Sequence, residues 1–258
     1  MEMTERVMGI ARNTFREGVR DRLFLVIVIF AVFVLGSSLV IGPLSLGEQV
    51  RITEDIGLAS ISILSFMIAI LVGTSIVHRE IDRRTIYTVI SKPVERWQFI
   101  VGKFIGLAAT VTLLMAGMTV LFLAMDLGVA RHFNAQLLVA VLLTWMELLL
   151  LTALSVLMST VASPILGAIF SVLLFVIGHA SADIRYLAIK FGSGVLKTFT
   201  DVVYYALPNL EYLNVRSKVT HGVRIDAGYV AFASSYALLY AIAFLVIAVL
   251  AFERKEFR

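Results

Sequence analysis

The chain has 258 residues, of which 60% are hydrophobic and 16% charged, with a formal charge of +4. A soluble domain is about 45–50% apolar and about 25% charged. With a mean hydropathy of +0.95, the composition excludes an ordinary soluble enzyme, a disordered tail and a disulfide scaffold. The absence of cysteine removes disulfides, thiolate metal sites and Cys nucleophiles.

Residues 3–22 open the chain as an amphipathic helix. Met3, Val7, Ile10, Ala11, Phe15 and Val19 share one half of the wheel, and Arg12, Arg16 and Arg20 recur on the other. A helix lying in the membrane interface has this pattern, with its arginines toward anionic headgroups. A positive-inside anchor for the first span accounts for the same residues.

A helix that crosses the hydrocarbon core needs about 20 apolar residues. Charge-free runs of that length give spans at 23–42, 56–77 and 104–125. The stretch 133–178 holds one charge, Glu147, and is broken at Ser163-Pro164, where proline cannot continue a helix. It therefore supplies two spans, 136–160 and 164–182, and a sixth follows at 229–252. The runs are apolar all round, unlike the alternation of outer-membrane strands, so helices are expected. A cleaved signal peptide is disfavoured by the late start and length of the first run. Lysine and arginine gather in residues 1–22, in 78–103 and at the C-terminus, which places both termini and that loop in the cytoplasm.

The expected fold is thus an all-α integral membrane protein, one domain over 1–258. It has six transmembrane helices, an N-terminal amphipathic interfacial helix and an extracytoplasmic helical segment, 183–228, between spans 5 and 6. In that segment Gly192 and Gly194 are expected to separate two short amphipathic helices, with Pro208 ending the second. It reads as a lid or as a dock for an extracytoplasmic client protein, or as two helices resting on the membrane surface.

The loop 78–103 is dense in charges of both signs from His78 to Arg84. A short apolar helix follows at 86–90, then Pro93 suits the first position of the next helix, with Glu95 at its positive end. These features suggest a docking surface for a soluble partner, although a solvated positive-inside loop has the same composition.

Within the spans, Glu147 is read as the only acid well inside the membrane, at a cost of about 2.5–3.5 kcal/mol on insertion scales. It faces a pore, bonds a neighbouring helix, sits neutral, or lies near an interface. Ser60, Ser62, Ser65, Thr110 and Thr112 line a path or bond their own backbone. The triplets Gly102-x3-Gly106, Ala69-x3-Gly73 and Gly167-x3-Ser171 permit close helix contact. Met115 and Met118, one turn apart, read as packing. His179 and Asp183, also one turn apart, read as an interfacial pair or as a metal or proton site. The four histidines are scattered and no zinc-helix motif occurs. The only Gly-Lys, at 102–103, has Trp97 where a phosphate-cradling loop needs its first glycine, and Phe104 where it needs a hydroxyl.

The runs Glu80-Ile-Asp-Arg-Arg-Thr85, Val89-Ile-Ser-Lys-Pro-Val94 and Val101-Gly-Lys103 resemble the cytoplasmic loop of ABC-2 type transporter permeases. There, an acidic residue, a Gly-Thr pair, a small apolar helix, a proline and a Gly-Lys precede the third span. Arg84 stands where the family usually has glycine. The start at 15–23, the six-span layout and the basic tail at 252–256 also resemble the family. Within it the chain is similar to permeases of nitrous-oxide-reductase and multicopper-enzyme maturation.

The resemblance implies a pore-forming subunit, not an enzyme, in a bacterial or archaeal cytoplasmic (inner) membrane. Two copies of the chain would pair with two cytoplasmic ABC ATPase subunits that bind the ATP and Mg. No catalytic, cofactor-binding or metal-binding residue is implied in this chain, and membrane lipid but no nucleic acid is expected as a partner. Glu80, Asp82, Arg83, Arg84 and Thr85 would make polar contacts with the ATPase. Ile86 and Tyr87 would pack, and Lys92 and Pro93 complete the ATPase-coupling set. The rival expectations are a secondary transporter or channel that needs no ATPase, and a membrane assembly or anchoring protein that moves nothing.

Overall fold

The structure, a computed structural model, describes residues 2–41, 48–76, 95–130, 133–191 and 207–254, together with positions 194, 198, 200–202 and 204. Every regular element among them is helical. The elements are α1 (Glu2–Ile41), α2 (Gln49–Ile76), α3 (Arg96–Ala130), α4 (Gln136–Val161) and α5 (Pro164–Phe191). A 3-10 turn (Leu210–Tyr212), α6 (Arg216–Thr220) and α7 (Ala227–Glu253) complete the set.

Helices α2, α3, α4, α5 and α7 are long and apolar enough to cross a membrane. Their outward faces carry large hydrophobic side chains, among them Ile165, Phe170 and Val176 on α5 and Leu239, Ile242 and Val246 on α7. So much exposed apolar surface suits contact with lipid and not with water. Residues 23–41 of the expected first span lie in the second half of α1, which runs unbroken for 40 residues. At about 1.5 Å per residue such a helix is about 60 Å long, twice the hydrocarbon thickness.

The centre of the bundle is α4. Residues Leu150 to Leu157 are buried all round, the mark of a helix enclosed by others. It packs against α7, α2, α5 and α3, while α1 packs chiefly on α3. Small residues set the close approaches. A side chain at Gly106 would meet the Ala11 carbonyl oxygen and the Thr14 Cβ at 2.5 Å, so only glycine lets α1 and α3 come this near. Gly102 faces Ile10 and the Val7 carbonyl, Gly73 faces Ser155, and Gly167 faces Met158 and Thr74. All three small-residue triplets noted in the sequence therefore lie at helix contacts. The apolar face of residues 3–22 likewise rests on α3, with Ala11 and Thr14 buried there.

Helix ends follow local chemistry. Pro164 opens α5, with Ser163 between it and the Ala162 cap, where its missing N–H costs nothing. Asp226 caps α7 by accepting from the Gly228 N–H at 2.8 Å. The starts of α2 and α4 and the end of α6 share one end of the bundle, where Glu48, Arg51, Asn134, Thr220 and Gly222 line a cleft of about 310 Å³. At the other end, the start of α3 meets the end of α7. There Phe99 stacks on Phe252 with ring centroids 5.5 Å apart.

Two expectations change. The sequence made Glu147 the only acid well inside a span and took Lys103 and Asp126 as charges bounding one. In the structure α3 extends past both, and each is 1% exposed, while Glu54 on α2 is 4% exposed. Protein packing encloses charges that a charge-gap reading leaves at the membrane surface.

Candidate functional site

The residues expected to couple to an ATPase, Glu80, Asp82, Arg83, Arg84, Thr85, Ile86, Tyr87, Lys92 and Pro93, lie outside the described residues. The described chain resumes at Glu95. The Glu95 N–H donates to Gln98 Oε1 at 3.2 Å, and the Trp97 indole N–H donates to the Glu95 carboxylate. Arg12 and Arg16 are exposed on α1, opposite the face that meets α3. The side chain of Arg20 is outside the described set.

Glu147 is enclosed in protein, 2% exposed. Its Oε1 lies 3.5 Å from His179 Nε2 on α5. The sequence spacing had paired His179 with Asp183, but Asp183 is exposed and the imidazole turns toward α4. His179 Nδ1 lies 3.1 Å from the Phe175 carbonyl oxygen, and a carbonyl only accepts, so Nδ1 carries a proton and donates it. That bond leaves Nε2 to face the acid. Among the described residues neither Glu147 Oε1 nor His179 Nε2 has a hydrogen-bond partner, so their 3.5 Å approach is of ion-pair range and not a formed hydrogen bond.

Neighbouring elements hold this pair in place. Phe175 stacks on Phe66 of α2 with centroids 3.9 Å apart, and the His179 ring tilts against Phe175 at 4.5 Å. One helical turn from Phe66, toward the same end, sits Ser62. It is 1% exposed and its Oγ has no partner among the described residues. Of the other hydroxyls proposed to line a path, Ser60, Thr110 and Thr112 donate to the carbonyl four residues back in their own helices. Ser65, like Ser62, finds none.

The segment 207–226 covers this end of α4 and α5. Pro208, Asn209, Leu210, Leu213, Val215 and Val219 are buried in it. It fits against Gly178, where an added Cβ would meet Leu210 Cγ at 2.7 Å and the Pro208 carbonyl oxygen at 3.0 Å. Hydrogen bonds tie it to the bundle. The Asn209 N–H donates to Tyr236 Oη at 2.8 Å, Tyr229 Oη donates to the Tyr212 carbonyl at 2.8 Å, and the Ile225 N–H donates to Gln136 Oε1 at 3.0 Å. The hydroxyls of Tyr204 and Tyr212 share a 3.0 Å bond that holds Tyr204 below the ordinary phenol range and pushes Tyr212 up. Arg185 of α5 and Asp201 form an ion pair at 2.9 Å, which brings Asp201 back to the side of α5.

A second candidate lies between α3 and α4. Thr112, Met115, Ala116, Thr119, Leu138, Val141 and Trp145 are among the residues lining a groove of about 370 Å³ that is nearly all apolar. Trp145 Nε1 donates across it to Thr112 Oγ1 at 2.8 Å. Met115 and Met118 are buried in the hydrophobic core, which suits packing. Among the described residues no three or more His, Asp or Glu side chains come together as metal ligands would.

What sequence reasoning missed is the partner of Glu147 and the enclosure of Glu54, Lys103 and Asp126. No local signal marks either, because each depends on which helices become neighbours.

A family model described as ABC-2 family transporter protein matches residues 8–257. None of the curated proteins matches the chain.

Proposed function

Since the chain belongs to the ABC-2 transporter family, we propose that it is the membrane-spanning permease subunit of an ATP-driven exporter whose ATP is hydrolysed by a separate subunit. The observation that carries this reading is the extent of the family match over a chain whose described elements are all helical. The local setting of the one Gly-Lys pair supports it. Gly102 packs on the Val7 carbonyl and Ile10 within a helix contact, and Lys103 is buried, so neither cradles a phosphate. In this reading ATP acts in trans.

In this reading six helices cross the cytoplasmic membrane of a bacterium or archaeon, the first being the second half of α1. Both termini and the 78–103 loop face inward. Arg12, Arg16 and Arg20 lie toward the inner headgroups. Two copies of the chain form the pathway, and each seats residues 80–93 on an ATPase. When ATP draws the two ATPases together, the seated loops move the helices that follow them. Arg96 would pass this motion on, because it bonds the start of α3 to the end of α7. Cargo handled in enzyme maturation is the class favoured by the subgroup similarity, with the segment after α5 as the dock for a client outside.

The test is co-purification of the ATPase with an Asp82→Ala, Arg83→Ala, Arg84→Ala triple variant. Loss of the complex and of coupled ATP hydrolysis is expected. An undiminished complex with full coupling would reject the docking role.

A further inference from the structure

The pairing of Glu147 with His179 has a chemical consequence separate from ATP-driven motion. The Nδ1 proton of His179 is committed to the Phe175 carbonyl. One further proton, on either Glu147 or Nε2, leaves the pair neutral overall and gives the 3.5 Å contact a donor and an acceptor. With that proton removed, a carboxylate faces a nitrogen lone pair. With one added, a neutral acid and an imidazolium face each other, and a net positive charge is buried. An unpaired charge enclosed by protein is strongly disfavoured, so either change works against the contact.

The surroundings bear on both states. Arg216 and Glu211 of the covering segment act electrostatically on Glu147 and on His179. They are joined through Asn214, which donates to Glu211 Oε2 at 3.2 Å and accepts from Arg216 Nε at 3.0 Å. On α2, one turn from Phe66, Ser62 is buried, and on α5 Asp183 lies one turn beyond His179, exposed. On α7, Tyr236 gives its oxygen to the Asn209 N–H. Among the described residues, Arg216 and Glu211 are the charged groups outside the pair that act on its members.

We propose that Glu147 and His179 form a proton-binding site that joins α4 to α5 while it holds one shared proton, and that a second proton, arriving from the end covered by 207–226, releases the two helices. The site makes the closure of this end sensitive to acidity on that side. It is a property of this chain alone, so its failure would leave the permease reading intact.

The experiment uses the full chain in lipid nanodiscs. Because the sequence has no cysteine, spin labels can be placed by Leu138→Cys and Ile184→Cys alone, both exposed positions near the covered end of α4 and α5. The distance distribution is measured between about pH 8 and about pH 5, the range in which histidine changes charge. The expected result is a population shift to longer distances on acidification, lost in Glu147→Gln and in His179→Gln. A wild-type distribution that does not move, or a shift that both variants retain, overturns the proposal. If the variants fold poorly, a chain whose other three histidines are glutamine reports the His179 imidazole by infrared spectroscopy with isotope-labelled histidine. No uptake of a proton across that range also overturns it.

Discussion

Arg96 donates from one guanidinium nitrogen to the carbonyl oxygens of Phe252, at 3.2 Å, and Glu253, at 2.7 Å. The last carbonyls of a helix have no intrahelical donor, and a cation there also meets the negative end of the helix dipole. Arg96→Ala should therefore loosen the last turn of α7, by about 1 kcal/mol for a lost charged hydrogen bond at a partly exposed site. Hydrogen exchange of the amides near Phe252 should accelerate several-fold, with the middle of α7 unchanged. Equal exchange in both proteins would show that the contact holds nothing.

The approach of α1 to α3 turns on Gly106. A methyl group there meets backbone, the Ala11 carbonyl oxygen at 2.5 Å, and backbone yields less readily than a side-chain tip. Gly106→Ala should lower stability in detergent by about 1–3 kcal/mol, the usual cost of overpacking. Gly128→Ala, on the same helix with nothing within 4 Å, should cost nothing. Denaturation midpoints of the two variants make the comparison.

Much of this architecture is legible in the sequence. Charge-free runs measure hydrocarbon thickness directly, so they locate α2, α3, α4, α5 and α7 to within a few turns. Ser163-Pro164 marks the break between α4 and α5 because proline chemistry is local. The pairing of His179 is another matter. Spacing offers Asp183, one turn away, whereas the imidazole meets Glu147 on another helix. The amphipathic face of residues 3–22 is likewise visible in sequence, yet its cover at Ala11 and Thr14 is α3. Lys103 and Asp126 look like span boundaries because a sequence shows charge but not the protein packed around it.

Trp145 and Thr112 bridge the apolar groove between α3 and α4. Thr112 Oγ1 also donates to the Ala108 carbonyl at 2.7 Å, so one hydroxyl serves both bonds. A double-mutant cycle with Trp145→Phe and Thr112→Val should give a coupling of about 0.6 kcal/mol, the usual worth of such bonds between membrane helices. Additive effects in unfolding measurements would mean the bond contributes nothing.

The covering segment depends on Tyr236, whose hydroxyl accepts from the Asn209 N–H in buried surroundings. Tyr236→Phe leaves that N–H without an acceptor, at a cost of about 1–3 kcal/mol. Limited proteolysis within 207–226 should speed up several-fold while cleavage elsewhere keeps its rate. Unchanged cleavage would place the hold of this segment in its apolar residues alone.

The central claim is that energy reaches this chain from a partner at its inner face, through the loop between α2 and α3. Arg83→Cys and His221→Cys supply unique thiols in a chain that has none of its own. A membrane-impermeant maleimide applied to intact cells should label the thiol at position 221 and reach the one at position 83 only after the membrane is opened. Labelling at position 83 in intact cells would contradict the account.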